Sequence, residues 1–243
     1  PGLPMTVLNT IMAKQLNDFK DDVDALISNG KEKRLAIIEV LRKNITDSKA
    51  VRFEGDGYSD EWVQEAEKRG LPNIKNTPEA LDAFLTEKSK EVFGCYNVLS
   101  ERELDARNEI LWENYVMKVQ IESRVMGDLA LNHIIPTSVK YQMKLIDAAK
   151  GLKEIGVDNS STVNVISKIT EHIDGVKNGV LEMIEERKRI NKIEESREQA
   201  VEYCHNIKHK FFDQIRYHVD KLELFVDDED WPLVKFREML FVH

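Results

Sequence analysis

Residues that break or cross-link regular structure are scarce in this chain of 243 residues. It has 2 cysteines, 6 prolines and 11 glycines, and only 7% of its residues are aromatic. The cysteines, Cys95 and Cys204, are too few for a disulfide framework or a structural zinc site, which favours a reduced, intracellular protein. The poverty of turn formers and aromatics favours helices over a sheet-rich fold.

Long apolar runs and basic charge are lacking as well. No segment approaches the roughly eighteen apolar residues of a membrane span, and no basic stretch followed by an apolar core marks an export signal. The formal charge of −9 and the pI near 5.3 would repel phosphate backbones and anionic lipid. We therefore expect no nucleic-acid partner, no membrane partner and a cytoplasmic location.

The longest helical pattern extends from Leu104 to Gln142, and we expect the rest of the chain to be organised around it. Ser100 and Glu103 form a Ser-x-x-Glu capping box, which fixes the start of this helix. Two stripes of mostly apolar residues predict burial on more than one side, at the centre of a bundle. Pro136 predicts a kink or break just before it. The first stripe is Leu104, Leu111, Tyr115, Glu122, Met126 and Leu129, and the second is Ile110, Met117, Ile121 and Val125.

Shorter elements are predicted before this helix from cap and turn residues. In order, they are a loop over residues 1–4, a helix ending at Asn29-Gly30, a second helix over about 31–44, a brief extended piece over 51–58 closed by a Gly-Asp-Gly turn, a helix over about 60–69 capped by Ser59, and a helix over about 78–93 capped by Thr77 and ended by Gly94.

The C-terminal half carries a heptad pattern from about Thr162 to Phe225, without proline. This pattern predicts a long antiparallel helical hairpin, and a single continuous helix stays open as the alternative. The acidic run Asp227 to Asp230 ends the pattern, and an apolar tail follows that should dock against something. The seam is Ile190, Ile193, Ala200, Cys204, Ile207, Phe211, His218 and Leu222, and the tail residues are Trp231, Leu233, Phe236, Leu240 and Phe241.

These patterns predict an all-α fold, a multi-helix bundle with a long hairpin and a short docked tail. Residues 1–99 hold the N-terminal helices and the Gly-Asp-Gly turn, and residues 100–243 hold the long-helix bundle with its C-terminal tail. We expect the two parts to form one continuous helical domain.

Three possible metal ligands, Glu202, His205 and His209, share one helical face. A di-iron bundle needs a second Glu-x-x-His motif on a facing helix and two more carboxylates. The sequence has no second motif, and His133 and His172 lack the spacing. A solvated helix face is the better interpretation.

Carboxylates on the central helix are a second candidate. Glu109, Glu113 and Glu122 lie there, and Glu113 or Glu122 could be buried against Arg107 or Arg124. Paired carboxylates act as acid and base when their environments separate their pKa values. Structural ion pairs are the more common outcome on a bundle helix.

Two further motifs have simple structural interpretations. Gly55-Asp56-Gly57 suggests a phosphate loop, but Glu54 and Asp56 would repel a phosphate, so we interpret it as a turn. Cys204 is interpreted as a small core residue because it lies in the seam. The residues alone thus point to no catalytic, cofactor-binding or metal-binding site.

Three segments, taken together, resemble the C-terminal region of type III glutamine synthetases. The resemblance is thin between about 150 and 215, and Asn108, Val234 and Phe236 stand where the family usually has Tyr, Pro and Tyr. The segments are Gly55-Asp56-Gly57-Tyr58-Ser59-x-Glu61-Trp62 with Glu65-Ala66-x-Lys68-Arg69-Gly70-Leu71-Pro72-Asn73; the series Arg107, Glu109, Ile110, Glu113, Tyr115, Ile121, Glu122, Met126, Ala130, Pro136, Tyr141 and Gln142; and the tail Leu222-Glu223-x-Phe225-Val226 with Trp231-Pro232 and Leu240-Phe241.

The resemblance implies the C-terminal part of an enzyme that uses ATP, with magnesium or manganese, to join ammonia to glutamate through a γ-glutamyl phosphate. Val7-Leu8-Asn9-Thr10-Ile11 is similar to the point just after the last active-site strand, which places all site residues upstream of this chain. The implied partners are its own catalytic domain and the neighbouring subunits of a dodecamer.

We therefore expect a structural or assembly domain that is inactive alone. The alternatives are a free-standing all-α interaction module that acts through its hairpin and, more remotely, a metal-dependent bundle enzyme.

Overall fold

The computed structural model describes residues 2–235 and 238–240, and this part of the chain is 81% helical and contains no strand. The predicted all-α class is confirmed. Residues Pro1–Asn108 and Glu109–His243 form two compact units, here called unit 1 and unit 2, which are described separately. The helices are α1 Gly2–Ser28, α2 Lys33–Asp47, α3 Asp60–Lys68, α4 Thr77–Leu81, α5 Glu87–Cys95, α6 Glu101–Leu129, α7 Ile135–Glu154, α8 Ser160–Ile190, α9 Ser196–Glu202 and α10 Asp213–Phe225.

In unit 1, α1 and α2 form a helical pair. Gly30, with φ of 86°, ends α1 because the left-handed region suits glycine. The Gly30 and Lys31 amides donate to the carbonyls of Ile27 and Leu26, as in a Schellman motif. The predicted cap at Asn29-Gly30 is confirmed. Val23, Ala36 and Val40 form a small buried cluster between the two helices.

The predicted loop over residues 1–4 is wrong, because α1 already begins at Gly2. Pro4 lies in the first turn of the helix, where a backbone N–H has no partner within the helix in any case. Proline is therefore compatible with a helix start here.

The predicted extended piece over residues 51–58 is also wrong. Ser48–Val51 form a 3₁₀ turn, and irregular chain follows. Phe53 stacks on Trp62 with ring centroids 4.4 Å apart, and Arg69 donates to the Arg52 carbonyl at 2.8 Å. Side chains of α3 and of its C-cap residue, Arg69, thus hold this segment in place of a partner strand.

The helix predicted over 78–93 is interrupted. Asn76, not Thr77, caps α4, a 3₁₀ turn covers Asp82–Leu85, and Thr86 caps a new helix, α5, by accepting from the Ser89 amide. A threonine hydroxyl that satisfies a first-turn amide favours a fresh helix start over continuation. The chain leaves α5 through Asn97, with φ of 51°, and not through Gly94.

The predicted start of the central helix is confirmed. The Ser100 amide donates to Glu103 Oε2 at 2.8 Å, and the Glu103 amide donates to Ser100 Oγ at 3.3 Å. Next to this capping box, Phe93, Leu99 and Leu104 form the second small buried cluster of unit 1.

The helix continues over residues 101–154, a length of 54 residues. In place of a break before Pro136, a π-helical segment covers Ala130–Ile134. The Ile135 amide donates to the Ala130 carbonyl, five residues back. This wider turn accommodates the proline, which removes a donor and crowds the preceding turn.

One face of α6 is buried, and Leu104 is the only residue of the two predicted stripes among its buried residues. It includes polar and very small residues, which allow neighbouring helices to approach closely; Cβ at Gly127 would lie 3.5 Å from Val180. The buried residues are Leu104, Asn108, Trp112, Val116, Val119, Ser123, Gly127 and, in the π-helical segment, Ala130 and Ile134.

The hairpin interpretation of the heptad pattern is confirmed in unit 2. The chain turns between Ile190 and Ser196, and α8 packs against α10 and against α7. A π-helical segment, Tyr203–Phe212, joins α9 to α10. The most completely buried side chains line the hairpin and include Ile169, Val176, Val180, Met183, Ile190, Ala200, Ile207, Phe211, Ile215 and Leu222.

The start of the tail docks as predicted. Trp231 is buried, and the buried Lys235 ammonium donates to the carbonyls of Glu223 and Val226 at the end of α10, at 2.9 and 2.8 Å. Asp230 forms ion pairs with Lys140 and Lys144 of α7. Leu233 and Leu240 were expected to dock as well, but they are 38% and 70% exposed, so the prediction is wrong for these two residues. Phe236 and Phe241, the other residues expected to dock, lie outside the described residues.

Candidate interaction surfaces

The possible metal ligands do not come together. Within residues 2–235 and 238–240, no group of three or more His, Cys, Asp or Glu side chains could hold a metal ion. Glu202 instead forms an ion pair with Arg189 and accepts from Asn206 at 2.9 Å. The His205 and His209 rings lie 5.9 Å apart between centroids.

The carboxylates of α6 are not buried against arginine. Glu109, Glu113 and Glu122 are exposed, as is Arg107. The interpretation that Glu113 or Glu122 is buried against an arginine is therefore wrong. They are solvated residues on the outer side of α6.

The remaining candidates have structural roles. The Asp56 carboxylate accepts from the Tyr58 amide at 2.9 Å, as in a turn, while Cys204 is buried. Tyr115 forms a hydrogen bond with Cys204, and burial, followed by that bond, raises the pKa of Tyr115 well above its usual range. The predictions of a turn and of a core cysteine are confirmed.

The second predicted stripe of α6 forms an exposed apolar surface in unit 2. We call Ile110, Met117, Ile121 and Val125 the α6 stripe; each side chain is between 50% and 55% exposed. Exposed apolar residues that follow one helical face typically mark a surface that another protein element covers. The prediction of burial is therefore wrong within this chain.

A groove adjoins the α6 stripe. It has a volume of about 510 Å³ and lies between α6, α10 and the tail, with Ile121, Val125, Val219 and Trp231 in its walls. Charged residues, including Arg216 and Asp220, also line it. The groove extends the apolar surface of the stripe towards the C-terminal tail.

Unit 1 carries two more exposed apolar stripes. Along α1, the spacing of three and four residues places four side chains on one face, each between 58% and 63% exposed. A similar face runs along α2. The α1 stripe is Met5, Leu8, Met12 and Leu16, and the α2 stripe is Leu35, Ile38, Leu41 and Ile45.

The fold and its surfaces thus define the class of protein, an all-α protein whose apolar side chains are exposed in rows along three helices. Its described residues include no group of side chains that could hold a metal ion. None of the described helices is both long enough and apolar enough to cross a bilayer. Residues 36–153 match the glutamine synthetase C-terminal domain family.

Curated relatives agree with this match. A glutamine synthetase of Bacteroides fragilis (strain YCH46) is 44% identical over 243 residues, which cover 98% of this chain and 33% of that relative. A type-3 glutamine synthetase of Dictyostelium discoideum is 28% identical over 99% of this chain and 33% of its own length. A glutamine synthetase of Butyrivibrio fibrisolvens is 27% identical over 88% of this chain and 31% of its own length. The chain therefore spans about a third of the length of the relatives that it matches.

Proposed function

We propose that this chain is the C-terminal structural and assembly domain of a type III glutamine synthetase. The observation that carries the proposal is the α6 stripe, together with the stripes on α1 and α2. Burying apolar surface stabilises an association by roughly 25 cal/mol per Å². Three exposed apolar rows therefore favour association with protein surface outside this chain. The relatives have about twice this chain's length beyond the region of similarity, which could supply that surface.

The parent enzyme, on this proposal, ligates ammonia to glutamate with ATP and magnesium or manganese in the cytoplasm. Its catalytic, cofactor-binding and metal residues lie outside this chain, and the chain alone is inactive. Its partners are its own catalytic domain and the neighbouring subunits of a dodecamer. Residues 1–99 and 100–243 act there as one continuous helical domain. The similarity to relatives named glutamine synthetase supports the activity, and the type-3 relative supports the type.

The first test is made on the full-length parent enzyme, with the double substitution Ile121→Gln and Val125→Gln. We expect a smaller assembly by light scattering, because the α6 stripe would no longer bury apolar surface. Lys118→Gln is the matched control, since Lys118 is exposed on the same helix but lies outside the stripe. An assembly of unchanged size in the double variant would contradict the assembly role.

The second test is made on the 243-residue chain alone. We expect no glutamine formation from ATP, glutamate and ammonia, in a preparation whose helical content circular dichroism confirms. Measurable synthesis would contradict the proposal that the active site lies outside this chain.

A further inference from the structure

The groove beside the α6 stripe has two helical walls with a regular pattern. Its α6 wall presents Ile121, Val125 and Leu129, and its α10 wall presents Ile215 and Val219. Apolar side chains therefore recur every four residues on both walls. This spacing is close to one helical turn, and such rows accept the side-chain ridges of a third helix. The geometry of the groove thus suits an amphipathic helix.

The charged residues of the groove are mostly acidic. Glu122 of α6 and both Asp220 and Glu223 of α10 line it, and Arg216 is the one basic residue among its described lining residues. Arg216 pairs with Asp220, so its charge is compensated within α10. Opposite charges across an interface attract, and like charges repel. A helix that binds in this groove should therefore carry basic residues beside its apolar side chains.

The α2 stripe has this combination of apolar and basic residues. Arg34 and Arg42 lie four residues before and four residues after Ile38 of the stripe, so all three share one helical face. Both arginines are exposed. The ion pairs described for α2 use Glu39 and Lys43, and none of those among residues 2–235 and 238–240 uses either arginine. The two guanidinium groups can therefore pair with carboxylates of another chain.

The α1 stripe lies on a helix of the wrong charge. Helix α1 holds four aspartates and two lysines, and each lysine pairs with an aspartate of the same helix. Its net charge is negative, which would disfavour binding to an acidic groove. Helix α2 holds four basic and two acidic residues, so its net charge is opposite to that of the groove. Charge therefore selects the α2 stripe over the α1 stripe.

We propose that the α2 stripe of one copy of this chain docks into the groove of a second copy. Both surfaces are accessible, since Ile38 is 37% exposed and Val125 is 51% exposed. The contact joins two unlike surfaces, so a reciprocal exchange gives a two-fold dimer, and a head-to-tail arrangement gives a ring or an open chain of copies. The inference rests on the proposed assembly role and deepens it, because it names the surface of the neighbouring subunit that fills the groove.

The test is the mass of the full 243-residue chain by sedimentation velocity over a range of concentrations. We expect self-association, and the double substitution Arg34→Glu and Arg42→Glu should weaken it by about tenfold or more, because two attractions become repulsions. Both residues are exposed, so the fold is retained. The matched control is Lys33→Glu with Lys68→Glu, which changes the charge of unit 1 by the same amount at exposed positions outside the stripe.

A charge exchange makes the test specific for this pair of surfaces. Glu122→Lys with Glu223→Lys makes the groove basic, so this variant alone should also lose self-association. Mixing it with the Arg34→Glu and Arg42→Glu variant should restore association, because each α2 then meets a groove of opposite charge in the other chain. A mixture that stays monomeric would overturn the proposal, as would a natural chain that is monomeric at every concentration or a control that weakens association equally.

The same α2 substitutions in the full-length parent enzyme separate this inference from the proposed function. If Ile121→Gln with Val125→Gln reduces the size of the assembly and the α2 variant does not, the assembly role stands and the α2 stripe is not the occupant of the groove. If neither variant reduces the size of the assembly, both proposals are overturned. A smaller assembly in both variants is the result that we expect.

Discussion

The two units differ in how they bury their apolar side chains. In unit 2 the hairpin and the adjoining helices bury a large set of residues, and Ile169, Val180 and Ile207 are inaccessible to solvent. In unit 1 the described hydrophobic clusters are small, with three buried residues around Val40 and three around Phe93. Unit 2 therefore contains a core of its own, whereas unit 1 leaves much of its apolar surface for another protein element to cover.

The largest loss of unfolding free energy is expected from a substitution that disrupts the core of unit 2. Phe211→Ala removes a buried aromatic ring, and such truncations cost roughly 3–5 kcal/mol of unfolding free energy because a cavity remains. The matched control is Phe19→Ala in unit 1, where the ring is only partly buried and a smaller loss is expected. Amide hydrogen exchange in both variants reads the two units separately. Equal losses from the two substitutions would contradict the difference in burial.

A smaller loss is expected from an added methyl group in unit 2. Gly175→Ala would place Cβ 2.5 Å from the His218 ring, so the ring must move and its hydrogen bond with His172 is disturbed. Overpacking of this kind typically costs about 1–3 kcal/mol.

Gly94→Ala in α5 is the control for this substitution, because Cβ there meets no atom within 4 Å. Alanine is the better helix former by up to about 1 kcal/mol, so this change should be neutral or stabilising. Urea denaturation of both variants measures the change in unfolding free energy, which should be a loss for Gly175→Ala and no loss for Gly94→Ala. Destabilisation of similar size at Gly94 would show that the effect at Gly175 does not come from close packing.

A still smaller effect is expected on acidification, and it should be confined to unit 2. All 6 histidines follow residue 108, and the buried His172 ring faces His218 with 3.0 Å between their Nδ1 atoms. Burial, followed by the charge of His218, lowers the pKa of His172 below its ordinary value of 6.5. The unfolded chain therefore takes up this proton first, so stability declines as the pH falls through about 6.5 and stops declining below the folded pKa.

The measurement is the unfolding free energy between pH 7 and pH 5 for the natural chain and for His172→Gln. The variant should show a shallower decline, because the glutamine amide does not titrate. The stability of unit 1, measured by amide exchange, should not change between pH 7 and pH 5. An identical slope in the variant would exclude His172 as the source of the decline.

The sequence predicted those features that depend on neighbouring residues alone. The Ser100 capping box and the glycine after α1 are local, because hydrogen bonds within one turn decide them. The interruption at Thr86 was missed because a threonine cap inside an apolar pattern is a weak signal. The buried face of α6 was missed for another reason. It uses Ser123 and Gly127, which allow close helix packing but carry no apolar signal.

The candidate surfaces were predicted only in part, for a related reason. Periodicity shows that a helix has an apolar face, but it does not show whether the same chain covers that face. The α6 stripe was therefore expected to be buried and proved to be exposed. The contact between Arg187 and Ser123 could not be predicted, because only the fold brings together residues that are 64 positions apart.

The smallest expected effect concerns the α1 stripe. This test distinguishes apolar surface that binds another protein element from apolar surface that packs within the chain and stabilises it. Leu8→Gln and Leu16→Gln change side chains that are each 63% exposed, and such changes are usually within about 0.5 kcal/mol in unfolding free energy. The matched control is Val23→Ala, on the buried side of the same helix, where a larger loss is expected. If urea denaturation shows that the two leucine substitutions destabilise unit 1 as much as Val23→Ala does, then α1 packs within the isolated chain through this face. In that case the stripe contributes to the core of unit 1 and leaves no surface for another protein element to cover.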